Sequence, residues 1–202
     1  VGVWQPVRGK VRLDGAALDQ WSPDELGPHI GYLPQDVELL AGTVAENISR
    51  FEAEADTDAV IAAAKTVGVH DLIVRLPAGY ETPIGEQGSA LSAGQAQRIA
   101  LARAFYRDPF LVVLDEPNSN LDAEGEEALT RAIQSVRERK GIVVVVAHRP
   151  SAIAGVDRLL MMNQGRVQAV GPKEDVLSKV LQRPLAMPRP LKVVPESGSS
   201  AT

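Results

Sequence analysis

Two uninterrupted apolar runs, Phe110-Leu111-Val112-Val113-Leu114 and Ile142-Val143-Val144-Val145-Val146, constrain this chain more than any other feature. Neither alternates polar with apolar residues, so both suit strands covered on both faces in a parallel sheet. The stretch between them, Asp122 to Lys140, places Leu129, Ile133 and Val136 on one helical stripe. Strand, helix and strand in this order make a βαβ unit, and the expected fold class is α/β with a parallel sheet core.

Two acidic residues, Asp115 and Glu116, follow the first run directly, and His148 stands just after the second. In open α/β sheets the ligand crevice lies beyond the carboxyl ends of the strands, so these side chains can converge on one site. Charges also simply begin the loops that follow buried strands, and position alone leaves both readings open. Phosphate chemistry gives these residue types a purpose. A strand-end Asp holds Mg²⁺, directly or through water, while the adjacent carboxylate polarises an attacking water. A strand-end imidazole hydrogen-bonds a terminal phosphate and stabilises the charge that develops there. Ser92-Ala93-Gly94-Gln95 is a capping-box pattern ahead of Ile99, Leu101, Ala102 and Phe105 on one helical face. Its backbone N–H groups and the positive end of the helix dipole favour an anion, although an ordinary capped helix has the same pattern.

Elsewhere, Val11-Arg12-Leu13 before Asp14-Gly15 reads as a short strand ending in a turn, and Ser22-Pro23-Asp24-Glu25 opens a brief helix. Ile30-Gly31-Tyr32-Leu33 reads as a buried strand stopped by Pro34, with a loop at Gln35. From Thr43 to about Asp108 the character is helical; Asp56 or Thr57 caps a run through Ala64 that ends at Gly68. Leu159 to Met162 and Arg166 to Val170 flank Asn163-Gln164-Gly165 as a hairpin, and Pro172 with Glu174 starts a last helix. Residues 1–182 are expected to form one domain, and residues 183–202, rich in Pro and Ser, a flexible tail.

Composition removes several function classes. The 202 residues suit one domain at roughly 150 per domain. The absence of Cys excludes a disulfide framework, a thiolate metal site and a cysteine nucleophile. A net charge of −5 argues against a nucleic-acid binder held by positive charge. The strongly apolar run from Ile142 to Ala147 is six residues long, far below the roughly 20 that span a bilayer. No signal-peptide pattern is present.

Leu91-Ser92-Ala93-Gly94-Gln95, then Ala96-Gln97-Arg98, resembles the signature motif of ATP-binding cassette (ABC) proteins. Phe110 to Glu116 resembles their Walker B strand, and Ser119-Asn120-Leu121-Asp122 is similar to the D-loop. His148 matches the switch histidine and Tyr32-Leu33-Pro34-Gln35 the Q-loop, all in the family's order between about Val11 and Pro172. The resemblance implies a P-loop NTPase (RecA-like) parallel sheet with a helical subdomain at about 43–108. It implies that Asp115 binds Mg²⁺, that Glu116 is the general base and that His148 contacts the γ-phosphate of ATP. Gln35 would sense Mg²⁺ and the attacking water and relay nucleotide state to a membrane domain. Ser92, Ala93, Gly94 and Gln95 would close over ATP held by a second copy, a homodimer with ATP sandwiched between, and Asp122 would lie at its seam. Ala93 stands where the family usually has Gly, which puts a methyl group in the approach to phosphate. Ala96 stands where a basic residue is common.

A phosphate-cradling G-x-x-x-x-G-K-[ST] loop should precede these motifs, but Gly9-Lys10 is followed by Val11 and no such loop occurs. An adenine-stacking aromatic is absent as well. Val1 to Gly15 looks like the stretch after that loop's helix. The N-terminal part of the ABC domain is therefore expected to be missing, and the chain alone to bind and turn over ATP poorly. Gly42-Thr43-Val44-Ala45-Glu46-Asn47-Ile48 resembles exporters whose ATPase is fused to a membrane domain. Ile84-Gly85-Glu86-Gln87-Gly88 is similar to the exporter x-loop, and also reads as a plain polar loop. Pro117 to Gly125 and Val11 to Ala16 are most similar to bacterial type I secretion ATPases, which export proteases, lipases and related unfolded polypeptides. That likeness implies a transmembrane domain of the same transporter, membrane-fusion and outer-membrane partners, and a place on the cytoplasmic face of the inner membrane. An exporter of lipid, drug or peptide, or a non-catalytic ABC fragment, are the alternatives. ABC ATPases of the DNA-repair type carry long heptad coiled coils, and Thr43 to Asp108 has no sustained a/d pattern.

Overall fold

A computed structural model describes residues 2, 6–85 and 91–181. The expected tail at 183–202 and the Glu86-Gln87-Gly88 part of the exporter-like loop lie outside the described residues. The chain forms two compact units, Val1–Val156 and Asp157–Thr202.

In the first unit, β1 (Arg12–Leu13) pairs with β2 (Ala16–Ala17) across Asp14 and Gly15, which take positive φ of 46° and 82°. A single helical turn, α1 (Pro23–Leu26), leads to β3 (Ile30–Leu33). Then come β4 (Gly42–Thr43), α2 (Val44–Ile48), α3 (Thr57–Thr66), α4 (His70–Val74) and β5 (Pro83–Ile84). The long helix α5 (Ala93–Phe105) precedes β6 (Leu111–Asp115), α6 (Ala123–Glu138) and β7 (Ile142–Val146), and a 3-10 turn follows at Pro150–Ile153. The second unit is a hairpin, β8 (Arg158–Asn163) and β9 (Arg166–Pro172), followed by α7 (Lys173–Leu181). Gln164 and Gly165, at φ 48° and 72°, make its turn with the left-handed geometry that matches strand twist.

The central sheet runs β3-β6-β7 and is parallel throughout. Leu33 lies opposite Leu114, and Asp115 opposite Val146, so the three strands end at one edge. The sheet is held from one side by α5. A Cβ on Gly31 would fall 1.8 Å from the Ala104 carbonyl oxygen and 2.9 Å from Pro109 Cγ, so only glycine permits this closeness. Gly31→Ala must push helix from strand and is expected to cost about 3 kcal/mol of unfolding free energy. Denaturant titration checks this, and a loss under about 0.5 kcal/mol, the scatter of ordinary surface changes, would contradict the packing.

The expected helices form for the expected reasons. Ser92 accepts from Gln95 N and the Gln95 side chain accepts from Ser92 N, closing the capping box of α5. Asp56 caps α3, and Asp122 caps α6, whose Leu129, Ile133 and Val136 are all buried. Burial on α5 is wider than one face: Ile99, Ala100, Leu101, Ala102, Ala104 and Phe105 are all in the core, because α2, α3 and the sheet surround it. Arg50 ties these layers together. Its guanidinium donates to the carbonyls of Gly27, Ile30 and Arg103, and burial, with Arg103 beside it, lowers its pKa.

One expectation fails at β7. Its residues alternate, with Ile142, Val144 and Val146 exposed at 50%, 44% and 52%, so only one face is covered. An all-apolar run specifies that a strand avoids water but not which neighbours cover it, and β7 is one of the two outer strands of the described sheet.

Candidate functional site

Parallel strands with matched ends bring their following residues to a common rim. Asp115 is the last residue of β6, and Glu116 N donates to Val146 O at 2.9 Å, extending the ladder by one step. Glu116 then takes φ of 46°, a left-handed conformation uncommon for a residue with a side chain, which turns the chain sharply off the sheet. Across the rim, His148 Nδ1 lies 3.0 Å from Glu116 Oε1. An ionised carboxylate only accepts, so in that state of the pair the imidazole donates from Nδ1. Gln35 follows two residues beyond Leu33, which is level with Leu114, so its loop leaves the sheet at the same edge. Asp115, Glu116, His148 and the Gln35 loop are thus brought to one edge.

The signature segment lies elsewhere on the same unit. Ser92 caps α5 while Ala93, Gly94 and Gln95 form its first turn, with Ser92 and Ala93 exposed. A Cβ on Gly94 would lie 3.0 Å from Asn120 O, so this turn sits against the loop after β6. Among the described residues no hydrogen bond joins Ser92–Gln95 to Glu116 or His148. Asp122 accepts from Gly125 N at 2.9 Å and pairs with Arg98. The Gly125 hydrogen bond, then Arg98, holds its carboxyl below the usual carboxylate range. A depressed carboxyl stabilises the fold above its unfolded value, and that contribution is lost as the pH falls through the folded one.

Three buried amides, none of them legible as functional from local pattern, fasten the loops of this edge. Asn47, fully buried, donates to Leu40 O and Thr43 O and accepts from Leu40 N, anchoring the segment beyond Gln35. Gln97, 2% exposed, donates to Pro117 O at 2.7 Å and Glu116 O at 3.4 Å. Its Oε1 accepts from Asn120 N and Ser119 Oγ, so the helix that begins with the signature holds the loop that begins with Glu116. Asn118, 3% exposed, reaches Ser151 and Glu126. The available signal was periodicity: Gln97 shares its stripe with Leu101 and Ala104, and Asn47 shares one with Val44, where a polar side chain needs a buried partner.

The oxygen donors of this edge are of the kind that Mg²⁺ takes. Asp115 offers a hard oxygen donor at a strand end, and Mg²⁺ bound with a nucleotide takes one or two carboxylates plus phosphates and water. Glu116 is a carboxylate with an oriented neighbour, which is what a general base requires.

The profile of the ABC transporter family matches residues 1–119, more than half of the chain. The chain is 67% identical over 198 residues to the type I secretion system ATP-binding protein PrsD of Rhizobium meliloti (strain 1021), covering 97% of this chain and 34% of that protein. It is 39% identical over 176 residues to the ATP-dependent lipid A-core flippase of Chromohalobacter salexigens, covering 87% of this chain and 30% of that protein. Among solved structures, a bacterial Atm1-family ABC exporter with ATP bound matches with a TM-score of 0.79 at 33% identity, over 88% of this chain and 31% of that chain. At 34%, 30% and 31% of their lengths, the chain spans roughly a third of each of these relatives.

Proposed function

This chain belongs to the ABC transporter family and has its α/β P-loop NTPase fold, and from that premise we propose that it is the ATP-hydrolysing part of an exporter that drives type I secretion of polypeptides. The observation that carries the enzymatic half of this reading is the Glu116–His148 contact at the end of a parallel sheet, beside Asp115. In this reading Asp115 holds Mg²⁺, and Gln35 reads the metal and the attacking water from the neighbouring loop. Mg²⁺ supplies neutralisation of charge on the phosphates. Glu116 takes the proton of the attacking water as its oxygen bonds the terminal phosphorus and ADP leaves, and His148, carrying a proton on each ring nitrogen, orients Glu116 through Nδ1 and stabilises charge on the terminal phosphate through Nε2.

The first turn of α5, Ser92 to Gln95, acts on ATP held by a second copy, and Asp122, which already fixes that helix through Arg98, lies at the seam between copies. Ser92, Ala93 and Asp122 are exposed in the single chain, as that arrangement requires, while Gly94 and Gln95 are half-buried. These 202 residues contain no G-x-x-x-x-G-K-[ST] loop, so they are proposed to hold ATP weakly on their own. Among the described residues no helix is long and apolar enough to cross a membrane. Likeness to about a third of a type I secretion protein supports, as proposed partners, a transmembrane domain of the same transporter, a place on the cytoplasmic face of the inner membrane, and membrane-fusion and outer-membrane proteins beyond it.

Likeness to a type I secretion protein over nearly the whole chain, at 67% against 39% for the flippase, favours polypeptide over lipid as cargo. The test is cargo-dependent turnover by the intact transporter in reconstituted membranes. Stimulation by an unfolded secreted polypeptide is the expected result; stimulation by lipid alone would move the chain to the lipid-exporter alternative.

A further inference from the structure

Behind the Glu116–His148 contact, the same two loops are joined a second time. Asn118, two residues after Glu116, donates from Nδ2 to Ser151 Oγ at 2.9 Å, and Ser151 is three residues after His148. Both side chains end on one carboxylate: Ser151 Oγ donates to Glu126 Oε1 at 2.9 Å, and Asn118 Nδ2 lies 3.3 Å from the same atom. Glu126 is a firm anchor. It sits in the first turns of the 16-residue helix α6, whose N-terminus is fixed by Asp122 and Arg98. Glu126 O also accepts from Thr130 Oγ1.

The span from His148 to Ser151 is short and stiff. Pro150 fixes its own φ, and Ala152 N closes a turn onto Arg149 O at 3.2 Å. On the other side, Gln97 holds the carbonyls of Glu116 and Pro117, so the Asn118 end cannot drift. His148 itself is exposed, and Glu116 is its sole hydrogen-bond partner among the described residues. Two loops joined at one point can pivot; joined at two, they hold one separation.

We infer that Asn118, Ser151 and Glu126 are positioning residues that hold His148 in register with Glu116, an inference that rests on the nucleotide-hydrolysing role proposed above. The hydroxyl of Ser151 is the replaceable part of this clamp, because it is surface-lying while Asn118 is buried.

The test uses the intact transporter and five variants: Ser151→Ala, Ser151→Thr, Glu126→Ala, Glu126→Gln and, as a reference, Glu116→Gln. Loss of a hydrogen bond to a charged group is expected to lower kcat about tenfold in Ser151→Ala and Glu126→Ala, with KM for ATP within about twofold. Ser151→Thr restores a hydroxyl and Glu126→Gln keeps an acceptor oxygen, so each should recover most of the lost turnover. A role in folding alone would lower the active fraction and the melting temperature without this rescue pattern. If Glu116→Gln stops turnover while Ser151→Ala and Glu126→Ala both stay within twofold of the parent, the clamp is overturned and the hydrolytic reading stands. If Glu116→Gln itself turns over normally, the hydrolytic reading fails first. Should Glu126→Ala not fold, the Ser151→Ala and Ser151→Thr pair decides alone.

Discussion

Glu116→Gln in the intact transporter is expected to lower ATP turnover by roughly 10²- to 10⁴-fold while ATP affinity changes little. Glutamine has the shape of glutamate and keeps an oxygen that accepts from His148 Nδ1, so the 3.0 Å contact at the rim survives. The left-handed backbone at Glu116 is held by its ladder bond to Val146 O and by Gln97, neither of which involves the side chain. What the amide cannot do is take a proton from water. The loss therefore falls on kcat alone, read by single-turnover hydrolysis alongside equilibrium nucleotide binding. Turnover within twofold of the parent would remove Glu116 from the chemistry.

His148→Ala is expected to cost roughly 10²- to 10³-fold, comparable to deleting one preorganised donor to a developing anion. The imidazole touches Glu116 through Nδ1, so alanine removes the orientation of the base and with it the proposed contact to phosphate. Because His148 is exposed and packs into no core, stability should barely move, and unchanged melting with retained hydrolysis would sink the assignment. The double variant should be scarcely slower than Glu116→Gln alone, since residues acting as a unit are not additive.

Much of this arrangement is written locally in the chain. The run before Asp115 and the run before His148 specify strands, and the Ser92, Asp56 and Asp122 caps specify where helices begin. Two strands of one parallel sheet then bring their end residues together without further information, which is why Asp115, Glu116 and His148 could be read as one site. The supports of that site could not. Gln97 meets Glu116 and Asn120 across 19 and 23 residues, and a buried amide carries the same letter as a solvated one. The two-residue strands β4 and β5 pair across some forty positions with no periodic signal long enough to detect. The bare face of β7 escaped for the converse reason: five apolar residues say that water is avoided, while tertiary neighbours decide how far.

The most direct measurement is the structure of the intact transporter carrying Glu116→Gln, with Mg²⁺ and ATP held unhydrolysed. The terminal phosphate should lie within hydrogen-bond reach, about 3 Å, of His148, with Asp115 on the metal and the α5 turn of a second copy closing from the far side. A terminal phosphate seated away from the edge shared by Asp115, Glu116 and His148 would contradict it.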